Sequence, residues 1–387
     1  MMEKSKTGLA KTLPVFMAFL VMGFVDIVGV ATGYIKKDFG LTDDLAQLIP
    51  SMALFWFFVL SVPTGVLQDR FGKRNMLNLG IFLTGIGMVV PFIHYSFPMM
   101  LAAFIVLGIG NTIVQVAANP LLHDVTPSEK FSSYMSLSQF IKAASSLMGP
   151  VITTYMALQF GNWKLVFAVY AVTSFLSALW LFSVKIVETK PNQQPATFRS
   201  CFGLLNNRLV AIMAGGIFVL VGVDVAMNSN IANYLQNAYG LTLEQASLGI
   251  SLYFTALMIG RFLGAVLLNW FSPAKFLAGT ALLALASLTL LVLSPSLAMA
   301  RIAIFMAGLG SANLFPLIFA ITLEKMPERA NEISGLMVMA ISGGAFIPPI
   351  VGLVSANYGA VASFGVLVAG MAYMVFTGIY AIRRSES

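Results

Sequence analysis

The sequence is poor in charged residues. Asp, Glu, Lys and Arg make up 10% of its 387 residues, whereas hydrophobic residues make up 58%. A typical soluble domain carries about 25% charged residues, and a soluble chain of this size leaves too much of itself at the surface to hide so many apolar side chains. The mean hydropathy of +0.88 agrees. These values exclude soluble, disordered, collagen-like and disulfide-scaffold chains, and they leave a polytopic membrane protein.

Cysteine and histidine are almost absent. The single cysteine, Cys201, has no partner for an intramolecular disulfide, and the two histidines, His94 and His123, stand near the ends of apolar runs without a metal-ligand pattern. No nucleophile and base are spaced for catalysis. We therefore expect no enzymatic activity, no resident cofactor and no metal site. In a soluble chain the net charge of +7 would suggest a nucleic-acid partner, but here we expect none, since surplus Lys and Arg orient membrane proteins.

Continuous apolar runs of membrane-spanning length recur along the chain. About 20 such residues suffice for a transmembrane helix, and unbroken runs are typical of helices rather than of barrel strands. The sequence predicts an all-α polytopic protein with twelve transmembrane helices. They are placed near residues 12–36, 46–67, 75–94, 97–122, 130–159, 162–186, 208–236, 244–268, 274–294, 296–323, 330–357 and 360–382.

The positions of Lys and Arg predict the orientation of these helices. With the N-terminus in the cytoplasm, sixteen of them fall in inside segments and three, Lys36, Lys37 and Lys164, fall outside. Positive residues favour the cytoplasmic side. The even number of spans then places both termini inside. We expect a multi-pass protein of the plasma membrane, the inner membrane of a bacterium, in contact with the lipid bilayer and functional as a monomer.

The two halves of the chain repeat one another. Gly23-Phe24-Val25-Asp26 and later Gly40 correspond to Gly222-Val223-Asp224 and Gly240, and Gly108-Ile109-Gly110 corresponds to Gly308-Leu309-Gly310. The offset stays between 196 and 200 residues. Duplicated six-helix halves are typical of transporters that hold substrate between the halves. The sequence predicts an N-terminal six-helix bundle over 1–186, a cytoplasmic linker over 187–207 and a C-terminal six-helix bundle over 208–387.

A glycine- and charge-rich loop joins the second and third spans. It reads Gly65-Val66-Leu67-Gln68-Asp69-Arg70-Phe71-Gly72-Lys73-Arg74. The glycines permit a tight turn and close helix approach, and Asp69 stands where it can pair with arginine or with amides at a helix end. This spacing resembles the signature loop of the major facilitator superfamily. The resemblance implies a cytoplasmic gating motif made of Gly65, Asp69, Arg70, Gly72, Lys73 and Arg74.

A narrower resemblance lies in the fourth and fifth spans. The stretches 110–120, which ends in Asn119-Pro120, and Leu137-Ser138-Gln139-Phe140 are similar to segments of the fucose:proton symporter family. This resemblance implies uptake of a monosaccharide driven by a cation, usually the proton. A glutamate of that family is Gln115 here, and an amide cannot carry a proton. The coupling role therefore does not transfer to this position, whereas the family's aspartate in the first span corresponds to Asp26.

Three charged residues are predicted at membrane depth, where a charge costs about 2.5–3.5 kcal/mol even on the lenient insertion scale. They are Asp26, Lys142 and Asp224. Asp26 is the main candidate for cation coupling, and Asp224 is its equivalent in the second half. A permanent Asp26–Lys142 pair that only fixes helix packing is one alternative. Sodium coordination by Asp26 is another, because carboxylates suit hard cations.

Amide side chains are the predicted contacts for substrate hydroxyls, since each offers donors and an acceptor. Asn111, Gln115 and Asn119 are spaced by four and share one face of the fourth span. For Asn119, contact with backbone groups freed by Pro120 is an equally good interpretation. The full predicted substrate-binding set is Gln115, Asn119, Gln139, Lys142, Asn228, Asn111, Asn230 and Asn313.

The sequence favours a secondary transporter that imports a neutral monosaccharide with protons through alternating access. The first rival is a symporter of an anionic sugar acid, in which Lys142 binds the carboxylate. Sodium-coupled sugar uptake and export of amphiphilic compounds are further alternatives, although an exporter favours a more apolar cavity. A non-transporting nutrient sensor is a rival of a different class, which long cytoplasmic extensions would favour.

Overall fold

The computed structural model describes residues 9–46, 48–189 and 196–385. These residues form α-helices and short 3-10 turns, with no β-strand among them. The helices are α1 (Leu9–Met22), α2 (Val28–Phe39), α3 (Asp43–Ala46), α4 (Leu48–Phe71), α5 (Lys73–Ile93), α6 (Phe97–Val125), α7 (Phe131–Phe160), α8 (Leu165–Ser183), α9 (Phe198–Gly203), α10 (Arg208–Tyr239), α11 (Leu243–Leu267), α12 (Pro273–Val292), α13 (Leu297–Ser311), α14 (Leu314–Lys325), α15 (Ala330–Met339), α16 (Gly343–Tyr358) and α17 (Ala360–Ser385).

Each of the twelve predicted spans corresponds to one of these helices or to two consecutive ones, which confirms the all-α fold class. Within the described residues, eleven segments are long and apolar enough to cross a membrane. The predicted span 130–159 is not among them. It matches α7, whose 30 residues are ample in length. Its first half carries five serines, Gln139 and Lys142, and these polar side chains lower its hydropathy.

Three of the predicted spans are interrupted, which the sequence prediction missed. A 3-10 turn, Gly23–Ile27, separates α1 from α2. Residues 312–313 separate α13 from α14, and the turn Ala340–Ser342 separates α15 from α16. A break frees backbone groups that lipid cannot satisfy, so protein groups must bind them. Asn111 Nδ2 accordingly donates to the Met22 carbonyl, which lies beside the first break (2.9 Å).

The described residues divide into two compact units. The first contains the described residues within 1–128, 141–202 and 326–339, and the second contains those within 129–140, 203–325 and 340–387. Relative to the predicted halves, two segments are exchanged, namely the first third of α7 and the 326–339 segment with α15. The predicted division at 187–207 stays a prediction, and residues 190–195 of that linker lie outside the described residues.

Equivalent glycines make equivalent helix crossings inside each unit, which supports the internal duplication. A side chain at Gly108 of α6 would strike the Ala53 carbonyl of α4, and one at Gly308 of α13 would lie 2.5 Å from the Tyr253 carbonyl of α11. The next crossing also repeats. Gly110 packs on α5 at Thr84, and Gly310 packs on α12 at Ala284, each with 2.6 Å between the added Cβ and the backbone nitrogen. Both pairs of contacts differ by 200 residues.

Candidate functional site

Asp26 lies in the 3-10 turn that interrupts the first span. Its side chain is exposed, although the turn's other residues, Gly23, Phe24, Val25 and Ile27, are buried. The Ser146 hydroxyl of α7 donates to Asp26 Oδ2 and lies 2.9 Å from the Lys142 carbonyl. Because a carboxylate at membrane depth is costly in lipid, the exposed Asp26 marks a polar, water-accessible face of the first unit.

The turn and α7 are in close contact around Asp26. A Cβ added to Gly23 would lie 2.7 Å from the Lys142 carbonyl, and Ser145 Oγ donates to the Leu20 carbonyl (2.7 Å). Phe24 stacks on Tyr170 of α8 with 3.8 Å between the ring centroids. Lys142 itself is half-buried, one helical turn before Ser146. The structure thus brings two predicted charged residues, Asp26 and Lys142, into one neighbourhood.

The amides of α6 lie in the core of the first unit. Asn111 donates to Met22 as described, and Asn119 Nδ2 donates to the Gln115 carbonyl (3.0 Å). Gln115 is 4% exposed. Among the described residues, the side-chain oxygens of Asn111 and Asn119 are buried without a hydrogen-bond partner. The donors of these two residues therefore serve the helix backbone, and their oxygens stay available for a polar guest or water.

Gln139 lies in the part of α7 that belongs to the second unit and is buried. Its carbonyl accepts a long hydrogen bond from Arg261 Nη1 of α11 (3.4 Å). Arg261 Nε also reaches the Ala312 carbonyl at the α13–α14 break (3.4 Å). The half-buried guanidinium therefore binds backbone groups of two elements, a role that the sequence did not predict.

Asp224 in α10 accepts a hydrogen bond from the Tyr253 hydroxyl of α11 (2.6 Å). Asp224 is half-buried and Tyr253 is buried. One turn further along α10, Asn228 is exposed, and the half-buried Asn230 donates to the Ala226 carbonyl (2.8 Å). The Asn228 amide is thus exposed, whereas the donor of Asn230 serves its own helix.

Asn313 occupies the break between α13 and α14. Its Nδ2 donates to the Gly260 carbonyl of α11 (2.7 Å), and its Oδ1 is buried without a partner among the described residues. Gly264 lacks the side chain that would collide with this amide. The contact is a helix-packing contact at an interruption, as Asn111 makes at Met22.

The glycine- and charge-rich loop packs tightly on α15. A Cβ at Gly65 would lie 2.7 Å from the Asn331 carbonyl, and one at Gly335 would lie 2.9 Å from the Ser61 carbonyl. Asp69 accepts from Asn331 Nδ2 (2.6 Å) and from the backbone N–H of Ala196 (2.8 Å). All these residues belong to the first unit. Arg70 is exposed at the end of α4.

The basic residues Lys73 and Arg74 stand at the start of α5 and bind acidic and carbonyl groups of other elements. Lys73 Nζ lies 2.7 Å from Asp124 Oδ2, and both side chains are almost completely buried. Glu188, which follows α8, accepts from the backbone N–H groups of Lys73 (2.7 Å) and Arg74 (2.9 Å). An anion at a helix N-terminus satisfies free donors and complements the helix dipole. Gly72, with φ +83°, precedes this cap without a side chain that would crowd Glu188.

Arg74 completes the same cluster. Its guanidinium donates to the carbonyls of Leu181 (3.2 Å) and Phe182 at the end of α8. It also lies 5.7 Å from the centroid of the Phe182 ring. The loop thus fixes the ends of α4, α5 and α8 to one another, and Glu188 takes part through its hydrogen bonds to the start of α5.

Several of these partners escaped the sequence prediction. Asp124, Glu188, Asn331 and Tyr253 each bind a predicted residue from more than 25 positions away in sequence. A weak signal existed, because acidic residues are so scarce that each one at a span end is worth pairing with a nearby cation. Among the described residues no group of three His, Cys, Asp or Glu is placed to hold a metal ion.

The chain is thus a polytopic helical protein with an exposed carboxylate in an interrupted helix. It also has repeated helix crossings and a buried charge cluster, and this combination is typical of a membrane transporter. Sequence comparison agrees. The Major Facilitator Superfamily is matched over residues 15–349 and again over 213–385. The chain belongs to this superfamily, and it is a transporter rather than an enzyme.

The similar proteins include named sugar transporters. A glucose/galactose transporter of Brucella abortus is 25% identical over 379 residues, which cover 94% of this chain and 92% of that protein. The L-fucose-proton symporter of Escherichia coli is 23% identical over 361 residues, 83% of this chain and 81% of its own. A crystal structure of the Escherichia coli fucose:proton symporter has a TM-score of 0.84 at 19% identity, covering 96% and 98% of the two chains. The last comparison confirms the fold.

Proposed function

We propose that this transporter imports a neutral monosaccharide together with a cation, most simply the proton, across the plasma membrane. The observation that carries the proposal is the Asp26 carboxylate, exposed in an interrupted membrane helix and bound by Ser146. A carboxylate there can take up and release a proton as its surroundings change. The similarity to glucose/galactose and L-fucose-proton transporters supports a neutral sugar as the cargo.

The substrate would bind through amides. Gln115, Asn228 and Gln139 combine donors and acceptors that suit sugar hydroxyls, and Asn111, Asn119, Asn230 and Asn313 anchor the neighbouring backbone. Ser146 binds Asp26, and the positively charged residue nearest to Ser146 in the sequence is Lys142, one helical turn before it. Binding of substrate would change the electrostatic interaction between the Asp26 carboxylate and the Lys142 ammonium. In the second half, the corresponding carboxylate is Asp224, which accepts a hydrogen bond from Tyr253.

Alternating access would use the cytoplasmic cluster around Asp69, Lys73 and Glu188 as a latch on one side of the membrane. This role is supported by the charge-assisted hydrogen bonds and the ion pair that residues of this one loop make. The latch would act with both termini in the cytoplasm and with one chain as the working unit. No cofactor beyond the coupling ion takes part.

One uptake experiment tests the proposal. Purified protein in proteoliposomes is given D-glucose, D-galactose, L-fucose and D-glucuronate under a pH gradient or a sodium gradient. Accumulation of a neutral sugar under the pH gradient supports the proposal. Accumulation under the sodium gradient alone favours the sodium rival, for which Asp26 Oδ2, Ser146 Oγ and the Lys142 carbonyl offer oxygen ligands. Accumulation of D-glucuronate alone favours the sugar-acid rival, and efflux of amphiphiles without sugar uptake favours the exporter.

A further inference from the structure

A groove lies in the second unit, at the C-terminal end of α10, the helix that also carries Asn228 and Asn230. It has a volume of about 520 Å³ and is lined by Asn233, Asn237, Ser355, Tyr358 and Gly359, together with the apolar Ala238 and Val361. This volume falls within the range of about 300–1,000 Å³ that is usual for small-molecule sites. The groove joins the last two turns of α10 to the end of α16, which the predicted orientation places on the outer face of the membrane.

The α10 wall of the groove is held in place from behind. The Tyr234 hydroxyl donates to the Leu291 carbonyl at the end of α12 (2.6 Å), and the Tyr239 hydroxyl donates to the Ser294 carbonyl (2.9 Å). Tyr234 is fully buried. Asn233 and Asn237, four residues apart, are exposed on another face of the same turns. These two amides are thus presented on a fixed helix end.

The two amides leave a donor and an acceptor side by side. Asn237 Nδ2 donates to the Asn233 carbonyl (2.8 Å) and to Asn233 Oδ1 (2.7 Å). Both Nδ2 hydrogens of Asn237 are then in use, and Asn233 Nδ2 and Asn237 Oδ1 are available to a ligand. A neighbouring donor and acceptor match two adjacent hydroxyls of a sugar. Ser355 adds a hydroxyl on the opposite wall.

Tyr358 supplies an aromatic surface at the same groove. Its side chain is 78% exposed, so the ring is open to a ligand or to the membrane interface. The apolar face of a tyrosine packs well on the C–H face of a pyranose ring. The combination of an amide pair, a hydroxyl and an open aromatic ring is sugar-binding chemistry.

The absence of charge from the groove lining bears on whether a neutral or an acidic sugar would bind. The groove is lined without a charged side chain. In the first half, the positions 200 residues earlier are Gly33 and Lys37 instead of Asn233 and Asn237, and Lys36 and Asp38 flank Lys37. The repeat therefore carries charges at one outer helix end and amides at the other. A neutral lining favours an uncharged sugar over a sugar acid, since no cation is present to pair with a carboxylate.

We propose that this groove binds a neutral monosaccharide at the outer face, as a site separate from the one that couples sugar to the cation. The proposal rests on the proposed function for the identity of the sugar. Such a site would capture sugar before it enters the transport path and so speed its loading. Its loss would raise the half-saturating concentration for uptake and leave the maximal rate unchanged.

The test uses cysteine protection. Ala238→Cys places a reporter thiol on the groove lining, and Asn357→Cys, on the exposed end of α16 outside the lining, serves as the matched control. The native Cys201 is fully buried, and burial raises the pKa of its thiol to about 12. It therefore reacts slowly, and the parent chain gives the background. A membrane-impermeant maleimide is applied with D-glucose, D-galactose, L-fucose or D-glucuronate.

The expected result is a labelling rate of Ala238→Cys that falls at least threefold with one neutral sugar and stays constant with D-glucuronate. Asn357→Cys should label at one rate throughout. Adding Asn237→Leu to Ala238→Cys should abolish the protection while cation-driven uptake at saturating sugar continues. An unchanged labelling rate in a chain that transports that sugar overturns the outer site and leaves the proposed function standing.

Two further outcomes are also decisive. Protection that persists with Asn237→Leu would mean that a conformational change, not occupancy of the groove, shields the thiol, and the proposal would fail. Protection by a neutral sugar in a chain that accumulates none would support the groove and contradict the proposed function.

Discussion

The Lys73 ammonium lies 2.7 Å from the Asp124 carboxylate, and the two side chains retain 3% and 1% of their accessible surface. A pair so completely removed from water contributes to stability only while both members are present, because each alone is an uncompensated buried charge. Thr189 Oγ1 also donates to Asp124 (2.7 Å), so the acidic partner binds two groups. The pair connects the start of α5 to the end of α6.

Removal of one member of this pair should be far more damaging than removal of both. We expect Asp124→Leu to lower the free energy of unfolding by about 3–5 kcal/mol. The double variant Lys73→Met/Asp124→Leu should recover most of that loss, since it buries no lone charge. Thermal unfolding of the purified protein in detergent measures both. A double variant as unstable as the single one would show that the charges themselves stabilise the fold.

The crossing of α4 and α15 should tolerate no added carbon at Gly65. In Gly65→Ala the new Cβ would lie 2.7 Å from the Asn331 carbonyl, and because that atom is backbone, the two helices must separate. Overpacking of this kind costs about 1–3 kcal/mol. Gly33→Ala in α2 is the control, because a Cβ there has no neighbour within 4 Å. Equal melting temperatures for the two variants would contradict the close crossing.

The Glu188 cap should make a measurable contribution to α5. Glu188→Ala removes the acceptors of the Lys73 and Arg74 N–H groups and should cost about 1 kcal/mol. Glu188→Gln keeps an acceptor without the charge and should lie in between. Glu129→Ala, an exposed glutamate in the turn Ser128–Lys130, is the comparison. A melting temperature of Glu188→Ala that matches wild type would rule out the cap.

Replacement of Asp26 is expected to abolish coupling to the cation while leaving sugar binding intact. In Asp26→Asn the amide cannot carry a proton, so uphill accumulation under a pH gradient should be lost, whereas exchange of labelled for unlabelled sugar across the vesicle membrane should continue. Ser146→Ala removes the hydroxyl that donates to Asp26 and should shift the pH profile of uptake without abolishing it. Continued uphill uptake by Asp26→Asn would refute the coupling role.

The loop between α5 and α6 carries a second testable electrostatic relationship. Tyr95, between α5 and α6, donates to Asp38 Oδ2 (2.6 Å), which also accepts from Trp163 Nε1 (2.9 Å). Burial, and then the hydrogen bond and charge of Asp38, raise the pKa of Tyr95 well above its usual value near 10. The folded state therefore keeps the phenol proton that the unfolded chain loses above pH 10. The stabilisation is complete below pH 10 and is lost as the pH rises further.

Asp38→Asn should lower the Tyr95 pKa by removing the carboxylate charge. Absorbance titration at 295 nm, compared between wild type and Tyr95→Phe, identifies the Tyr95 step. The step should appear at lower pH in Asp38→Asn than in wild type. An unchanged step would assign the shift to burial alone.

The sequence was sufficient for the helical framework because its signals are long-range averages. Runs of about 20 apolar residues predict spans without knowledge of packing, and each predicted end lies within four residues of a helix end. The breaks at Gly23–Ile27, 312–313 and Ala340–Ser342 were missed because an interruption in an apolar run leaves its hydropathy unchanged. They depend on partners elsewhere in the chain, such as Asn111 for Met22.

The sequence predicted which residue types make up the candidate site, but it did not predict most of their hydrogen-bond partners. The scarcity of charge led directly to Asp26, Lys142 and Asp224. The partners Ser146 and Tyr253 followed only from the packing of α7 and α11, because hydroxyls are common and carry no periodic signal. The spacing of Asn111, Gln115 and Asn119 predicted one shared face, and the structure adds that two of these amides donate to backbone carbonyls.

The polar character of α7 bears on how the protein is made. A nascent segment that begins Phe131-Ser132-Ser133 and carries Gln139 and Lys142 partitions into lipid less readily than the eleven more apolar segments. It gains a favourable environment once Ser145 and Ser146 meet the Leu20 carbonyl and Asp26. Because α1 and the turn with Asp26 are synthesised first, they can already be in the membrane when α7 inserts and can pack against it. The contacts of Ser145 and Ser146 with the first span would thereby link the candidate site to the order in which the helices insert.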